Sequence, residues 1–268
     1  MSRRVLLVDN GSLEPASTRQ LRRLAEELEK RVGERVDPAS LAHTDKVPAE
    51  ELDGRRAELF EAALDRALRE GVSGIVVVPL FVGPSHAITR WVPAMIEERR
   101  EKFAAARIGL ASPLFVPGEK RLGEILTEHV REQIGAGERP RVAIVDHGSP
   151  ARAVTGVREA VAAQVRELLG GAVSEVAACS MERREGAEFD FNEPLLENLL
   201  ARTEWRSGPL VVGLVFVAPG KHAGPDGDVA KIVRAARGGE MCGVKFTRVL
   251  GEHPRLVEIL ADRVRSVG

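Results

Sequence analysis

The feature that most constrains this chain is that it repeats itself. Arg4-Val-Leu-Leu-Val-Asp-Asn-Gly-Ser12 returns as Arg141-Val-Ala-Ile-Val-Asp-His-Gly-Ser149, so Gly11 recurs 137 residues later as Gly148. Val82-Gly-Pro-Ser-His86 returns as Val217-Ala-Pro-Gly-Lys-His222, with His222 lying 136 residues after His86. Arg121-Leu-Gly-Glu-Ile-Leu126 returns as Arg255-Leu-Val-Glu-Ile-Leu260, 134 residues on. Three blocks in one order at a nearly constant offset mark a duplicated structural unit. The seam falls in the Gly/Pro stretch Gly135-Ala-Gly-Glu-Arg-Pro140. The 268 residues thus divide into 1–137 and 138–268, each of ordinary domain size.

Each half alternates short β-branched runs with longer helical stretches. In the first half the pattern predicts strands over 5–8, 36–42, 74–82 and 108–114, with helices near 17–32, 55–70, 87–103 and 120–133. Leu21, Leu24, Leu28 and Val32 recur at helical spacing and form one apolar stripe. The second half predicts strands over 142–145, 173–179, 210–217 and 244–249, and helices near 154–169, 194–202, 227–237 and 254–267. Continuous apolar strands bounded by turns are those of buried parallel sheets. The expected fold is α/β: two tandem (βα)4 domains, each a four-stranded parallel sheet with helices on both faces, and a cleft between the domains. In such sheets ligands bind beyond the carboxyl ends of the strands.

Composition removes several classes of function. With 39 Lys+Arg against 40 Asp+Glu the net charge is -1, so no overall basic field invites nucleic acid. Aromatics are 4% and Tyr is absent, which leaves little for base stacking. Two cysteines, Cys179 and Cys242, make neither a disulfide scaffold nor a cysteine-rich zinc site. The apolar run after Met1 is too short for a secretory signal, and no run approaches a membrane span. The expectation is a cytoplasmic protein with no membrane or nucleic-acid partner.

Three residues stand where chemistry is expected. His147 follows the first strand of the second half, Glu182 the second and His222 the third. Two imidazoles and a carboxylate there suit a divalent transition metal with open coordination positions, or proton transfer near neutral pH. Spacing pairs them with Asn10, Asp45 and His86 of the first half. Asn neither titrates nor ligates well, so the first copy reads as degraded and the second as the working one. Gly148 and Ser149 sit between a strand and a helix start, where backbone N–H groups can meet an anionic oxygen or simply close a turn. Arg183, Arg184, Lys221 and Arg90 flank the same region and suit a carboxylate-rich substrate. No G-x-S-x-G elbow accompanies Ser149, which argues against a serine hydrolase. His129, inside a helical stretch, reads as a surface residue, and His253 as structural.

The sequence Val-Asp-His147-Gly-Ser, then Ser-Met-Glu182, then Val-Phe216-Val-Ala-Pro-Gly-Lys-His222, then Leu-Gly-Glu-His-Pro254-Arg-Leu resembles the CbiX/SirB-type class II tetrapyrrole chelatases. The resemblance covers nearly the whole chain and matches the family's long, two-repeat form. It implies insertion of cobalt or iron into sirohydrochlorin, for cobalamin or sirohaem, with His147, Glu182 and His222 at the metal. Read from the residues themselves, Gly148, Ser149, Arg183, Lys221, Asn10 and His86 are the candidate substrate contacts. No tightly bound cofactor is implied; the divalent metal (Co²⁺, Fe²⁺ or Ni²⁺) is a substrate alongside the tetrapyrrole. The family commonly keeps its functional set in the amino-terminal half, whereas Asn10 here moves it to the other. A fused repeat suffices as a monomer with pseudo-twofold symmetry. The competing readings are a non-catalytic tetrapyrrole or metal carrier on the same fold, and a chelatase for another macrocycle or nickel.

Overall fold

The computed structural model describes residues 3–267. In the first sheet β1 (Arg3–Asp9), β2 (Val36–Ser40), β3 (Gly74–Pro79) and β4 (Arg107–Leu110) run parallel in the order β2-β1-β3-β4. In the second, β5 (Arg141–Asp146), β6 (Glu175–Ser180), β7 (Leu210–Leu214) and β8 (Val244–Phe246) repeat that order as β6-β5-β7-β8. The connecting helices are α1 (Pro15–Val32), α2 (Phe60–Arg69), α3 (Val92–Lys102), α4 (Arg121–Arg131), α5 (Arg152–Leu169), α6 (Leu196–Leu200), α7 (Asp228–Ala236) and α8 (Arg255–Arg265). The two tandem four-stranded parallel α/β sheets expected from the repeat are therefore present.

The central strands are apolar on both faces because helices cover both. Val5, Leu6, Leu7 and Val8 are fully buried, as are Val142, Ala143, Ile144 and Val145. Each such aliphatic side chain contributes roughly 1.5–3 kcal/mol on burial. In the second sheet Val142 stands opposite Val176 on one side and Val211 on the other. The predicted strands over 74–82 and 210–217 end earlier, at Pro79 and Leu214. Beyond those points the backbone leaves the ladder for the next loop: the Phe81 and Phe216 carbonyls accept from the N–H groups of Leu114 and Leu250. Apolar composition persists there because the loops stay partly covered.

The spatial units differ from the sequence repeats in one respect. One unit is Pro117–His253, and the other holds the rest of the described chain, with residues 254 onward packed alongside the first sheet. α8 therefore closes the first unit, against α1 and β3, while α4 closes the second, against α5 and β7. The repeat boundary near 137 and the packing boundaries at 116/117 and 253/254 are thus not the same. The two helices carry nearly the same apolar pattern, Leu122-Ile125-Leu126-Val130 and Leu256-Ile259-Leu260-Val264, all of it buried. Local sequence suits either helix to either sheet. No helix among the described residues is long and apolar enough to cross a membrane.

In both sheets the chain turns one way after the first strand and the other way after the second. That reversal opens a crevice at the carboxyl ends of the two central strands. In the second unit these are β5 and β7.

Candidate functional site

The site begins at the end of β5. Buried Asp146 accepts hydrogen bonds at Oδ1 from the Ser180 hydroxyl (2.6 Å) and the Gly148 N–H (3.1 Å). Burial pushes the Asp146 carboxyl above its ordinary range, and the nearby Arg158 guanidinium moderates the rise. Arg158, itself fully buried, donates to Ser180 Oγ at 2.5 Å and to the Asn192 carbonyl at 2.9 Å. This network bends the backbone sharply just past the strand. Gly148 turns at φ 91°, and a Cβ there would lie 1.8 Å from the Glu182 carbonyl oxygen. Only glycine meets both demands.

The same turn sets His147 beside Glu182. The Glu182 N–H donates to the His147 carbonyl at 3.1 Å, extending the β5–β6 pairing beyond its last ladder residue. Their side chains approach to 3.6 Å, His147 Nε2 to Glu182 Oε1, with 46% and 60% of the side chains exposed. That separation is too long for a hydrogen bond. His147 Nδ1 lies 3.1 Å from the Gly148 carbonyl.

His222 comes from the β7–α7 loop. Its ring faces the His147 ring at 4.7 Å between centroids, nearly perpendicular at 82°. His222 Nδ1 lies 2.8 Å from Asp228 Oδ2, at the first residue of α7. Partial burial pushes the Asp228 carboxyl up, but hydrogen bonds from His222 and Lys231 outweigh it and hold it below the usual range. The strands thus bring together all three residues predicted to carry chemistry. Among the described residues no group of three or more His, Cys, Asp or Glu is gathered closely enough to hold a metal ion by itself. The arrangement is an open face, not a closed cage.

Other sequence expectations change. The pairing of Glu182 with Asp45 does not hold. Asp9 is in register with Ser40 as Asp146 is with Ser180, so the first-unit counterpart of Glu182 is Ala42. The Gly11 turn confirms it, since a Cβ there would meet the Ala42 carbonyl at 1.8 Å. Asp45 lies in a separate short helical turn, exposed. The first unit therefore has Asn10 where the second has an imidazole and Ala42 where the second has a carboxylate. His86 remains, half-buried, opening a single π-helical turn over Ala87–Trp91.

The amides of Gly148 and Ser149 are not free for an anion. Gly148 N–H is held by Asp146, and Ser149 N–H by the buried Asn192 side chain at 3.0 Å. Ser149 Oγ caps the turn by accepting from the Ala151 N–H. Arg183 is drawn into its own loop by Glu193 (3.0 Å) and Asp190 (3.2 Å), while Lys221 and Arg184 are exposed. His129 is fully buried, not on the surface.

Sequence reasoning did not find Asp228 or Asn192. Asp228 is separated from His222 by a glycine-rich loop of no regular period. Asn192 is one polar residue in a short helical turn over Ala187–Asn192. The only available signal was an acidic residue at a helix start, which also serves as an ordinary helix-terminus charge.

A model of the CbiX family matches residues 4–133 and again 141–267. The chain belongs to the CbiX family. Its two matched segments coincide with the two sequence repeats. The fold of this CbiX-family chain is similar to SirB from Bacillus subtilis with Fe³⁺ at 17% identity, covering 99% of this chain and 95% of that one, with a TM-score of 0.72. It is similar to SirB from Bacillus subtilis subspecies spizizenii, a sirohydrochlorin chelatase in complex with cobalt, at 15% identity, the same coverages and a TM-score of 0.74. It is also similar to CbiX, described as the terminal enzyme for biosynthesis of siroheme in denitrifying bacteria, at 16% identity, 99% of each chain and a TM-score of 0.63. At these identities the likeness is one of fold. No curated protein matches the chain.

Proposed function

We propose that this CbiX-family chain is a sirohydrochlorin chelatase, inserting Co²⁺ or Fe²⁺ into a carboxylate-rich tetrapyrrole from its second unit. The observation that carries this reading is the facing pair His147 and His222, 4.7 Å apart, with Glu182 at 3.6 Å from His147. Membership in the CbiX family supports it, as do the iron and cobalt named with the SirB structures of the same fold.

The reaction exchanges one divalent ion for two protons. Two pyrrole N–H bonds break, the two protons leave, and the ion gains the macrocycle nitrogens as ligands. A protein site for this must hold the ion loosely and accept protons near neutrality. Imidazole and carboxylate donors suit first-row divalent ions, and neutral imidazole is a proton acceptor in the right range. A closed four-ligand cage would retain the ion; the open face does not. Exposed Lys221 and Arg184 suit the substrate's carboxylates. Arg183 is assigned instead to shaping its loop, and Gly148 and Ser149 to shaping the turn. In the first unit Asn10 and His86 keep hydrogen-bonding capacity without a metal set.

The test is absorbance-monitored insertion under anaerobic conditions, with sirohydrochlorin and Co²⁺ or Fe²⁺. His147→Ala and His222→Ala are each expected to lower the rate by about 10²-fold or more, the scale of a lost proton acceptor or ligand. Parent-rate insertion by both variants would sink the proposal. Stoichiometric tetrapyrrole binding without turnover by the wild type would establish a carrier instead.

A further inference from the structure

We infer that Asp228 is a positioning residue that fixes His222 as its Nδ1–H tautomer, so that the metal is met through Nε2. The inference rests on the chelatase reading for the identity of the ligand, and on hydrogen-bond chemistry for the rest.

An ionised carboxylate only accepts hydrogen bonds, and a neutral imidazole has one donor and one acceptor nitrogen. Asp228 Oδ2 stands 2.8 Å from His222 Nδ1, so the proton of the pair sits on Nδ1 and the Nε2 lone pair is free. The carboxylate is itself held in place. It is the first residue of α7, where the positive end of the helix favours a negative charge. Its backbone N–H donates to the Lys221 carbonyl at 3.0 Å, and the next N–H, of Val229, donates to the His222 carbonyl at 3.2 Å. The loop cannot shift His222 without shifting the helix start. Gly227 enforces this closeness, since a Cβ there would lie 2.7 Å from the His222 carbonyl. The other carboxylate oxygen is 3.5 Å from the exposed Lys231 ammonium, a contact that leaves Oδ2 to the histidine.

His147 is oriented to the same effect by a different partner. Its Nδ1 lies 3.1 Å from the Gly148 carbonyl, also an acceptor only. Both rings therefore carry the proton on Nδ1 and offer Nε2. His147 Nε2 is the nitrogen nearest Glu182. A carboxylate or carbonyl behind the distal nitrogen is the usual way a protein orients a ligating imidazole and raises its basicity.

The repeat supplies an internal control. His86 is the first-unit counterpart of His222, but the helix start that follows it offers no carboxylate. The residue six positions on is Val92, and the helix that follows has no acidic residue in its first turn. The copy with Asn10 in place of the imidazole and Ala42 in place of the carboxylate also lacks this third feature. The acid travels with the working set.

The experiment uses the full chain and two readouts. Long-range ¹H–¹⁵N correlation spectra report the tautomer of His222, assigned by its loss in His222→Ala. Titration with Co²⁺ alone reports affinity. The wild type is expected to show Nδ1–H at His222. Asp228→Ala is expected to lose that signature and to bind Co²⁺ about 10–100-fold more weakly, the usual cost of removing a ligand's orienting partner. Lys231→Ala, which removes only the neighbouring charge, is expected to keep both. A protonated Nε2 at His222 in the wild type, or unchanged Co²⁺ affinity in Asp228→Ala, would overturn the inference. Failure of the wild type to insert metal into sirohydrochlorin, with tautomer and Co²⁺ affinity as expected, would overturn the chelatase reading and leave the role of Asp228 standing.

Discussion

Asp9 shows how much one residue can cost where the repeat retains a feature it no longer supports. It ends β1 as Asp146 ends β5, and it is buried. Burial drives its carboxyl from 3.8 to about 6, against the lowering effect of hydrogen bonds from Ser40 and Gly11. Asp146 has Arg158 nearby; the first-unit position that corresponds to Arg158 is Leu21, an apolar core residue. The folded carboxyl keeps its proton to higher pH than the unfolded one, so Asp9 costs nothing below pH 3.8. Its penalty grows as pH rises through about 6, reaching about 3 kcal/mol at 1.36 kcal/mol per unit. Asp9→Asn is therefore expected to stabilise the protein at pH 8 by up to that amount and not at pH 4, read by denaturant unfolding at both. An equal effect at the two pH values would refute this. The identity of the residue was legible in the repeat; its burial without a guanidinium was not, because which helix side chain covers the strand end is set by packing and not by the strand's own sequence.

At the scale of elements, α4 and α8 are the instructive pair. Both are amphipathic, and each carries a polar residue at the same place in its pattern, His129 in α4 and Arg263 in α8. In α8 the Arg263 guanidinium donates to the Pro113 and Leu114 carbonyls at 2.9 and 3.0 Å. In α4 the smaller His129 is sealed in, with its ring 5.2 Å from that of His253. Flanking ion pairs, Glu128 with His253 (2.9 Å) and Glu132 with Arg248 (2.7 Å), tie the helix to the segment after β8. Burial is the main force that lowers His129 from 6.5 to about 4; the positive charges of Arg248 and His253 add to it, and Glu132 opposes. An imidazole that stays neutral in the fold but charges in the unfolded chain below 6.5 stabilises the native state above that pH. The stability is lost as pH falls through about 4, and amounts to about 3 kcal/mol. Replacing the ring by His129→Phe is expected to flatten the acid limb of stability between those values. A wild-type slope in the variant would show that the titrating group lies elsewhere. Periodicity placed this helix correctly and its histidine wrongly, since a polar residue on a helix reads as outward unless its neighbours are known.

At the scale of the molecule, the exchange of closing helices makes each unit depend on the far end of the other repeat. Leu256, Ile259, Leu260 and Val264 of α8 are buried in the first unit. Each is worth roughly 1.5–3 kcal/mol, together comparable to the whole stability of a typical domain, about 5–15 kcal/mol. A chain ending at residue 253 is expected to lose hydrogen-exchange protection throughout β1, β3 and α1 while β5, β7 and α5 keep theirs. Full protection of the first sheet in that truncated chain would show that α8 is dispensable.

The sequence by itself determined the order and type of the eight strands and eight α-helices among the described residues, the duplication, and the placement of His147, Glu182 and His222 beyond the carboxyl ends of successive strands. These follow from short-range periodicity and from the rule that a parallel strand delivers its next residue to one edge of the sheet. Only the tertiary structure decided that Ala42 and not Asp45 answers to Glu182, because register is set by inter-strand hydrogen bonds and not by spacing along the chain. It alone decided which sheet each closing helix covers, since two near-identical apolar stripes give local sequence no preference. It alone set Asp228 behind His222, because that contact depends on where an irregular loop returns the chain, and loops carry no periodicity to read.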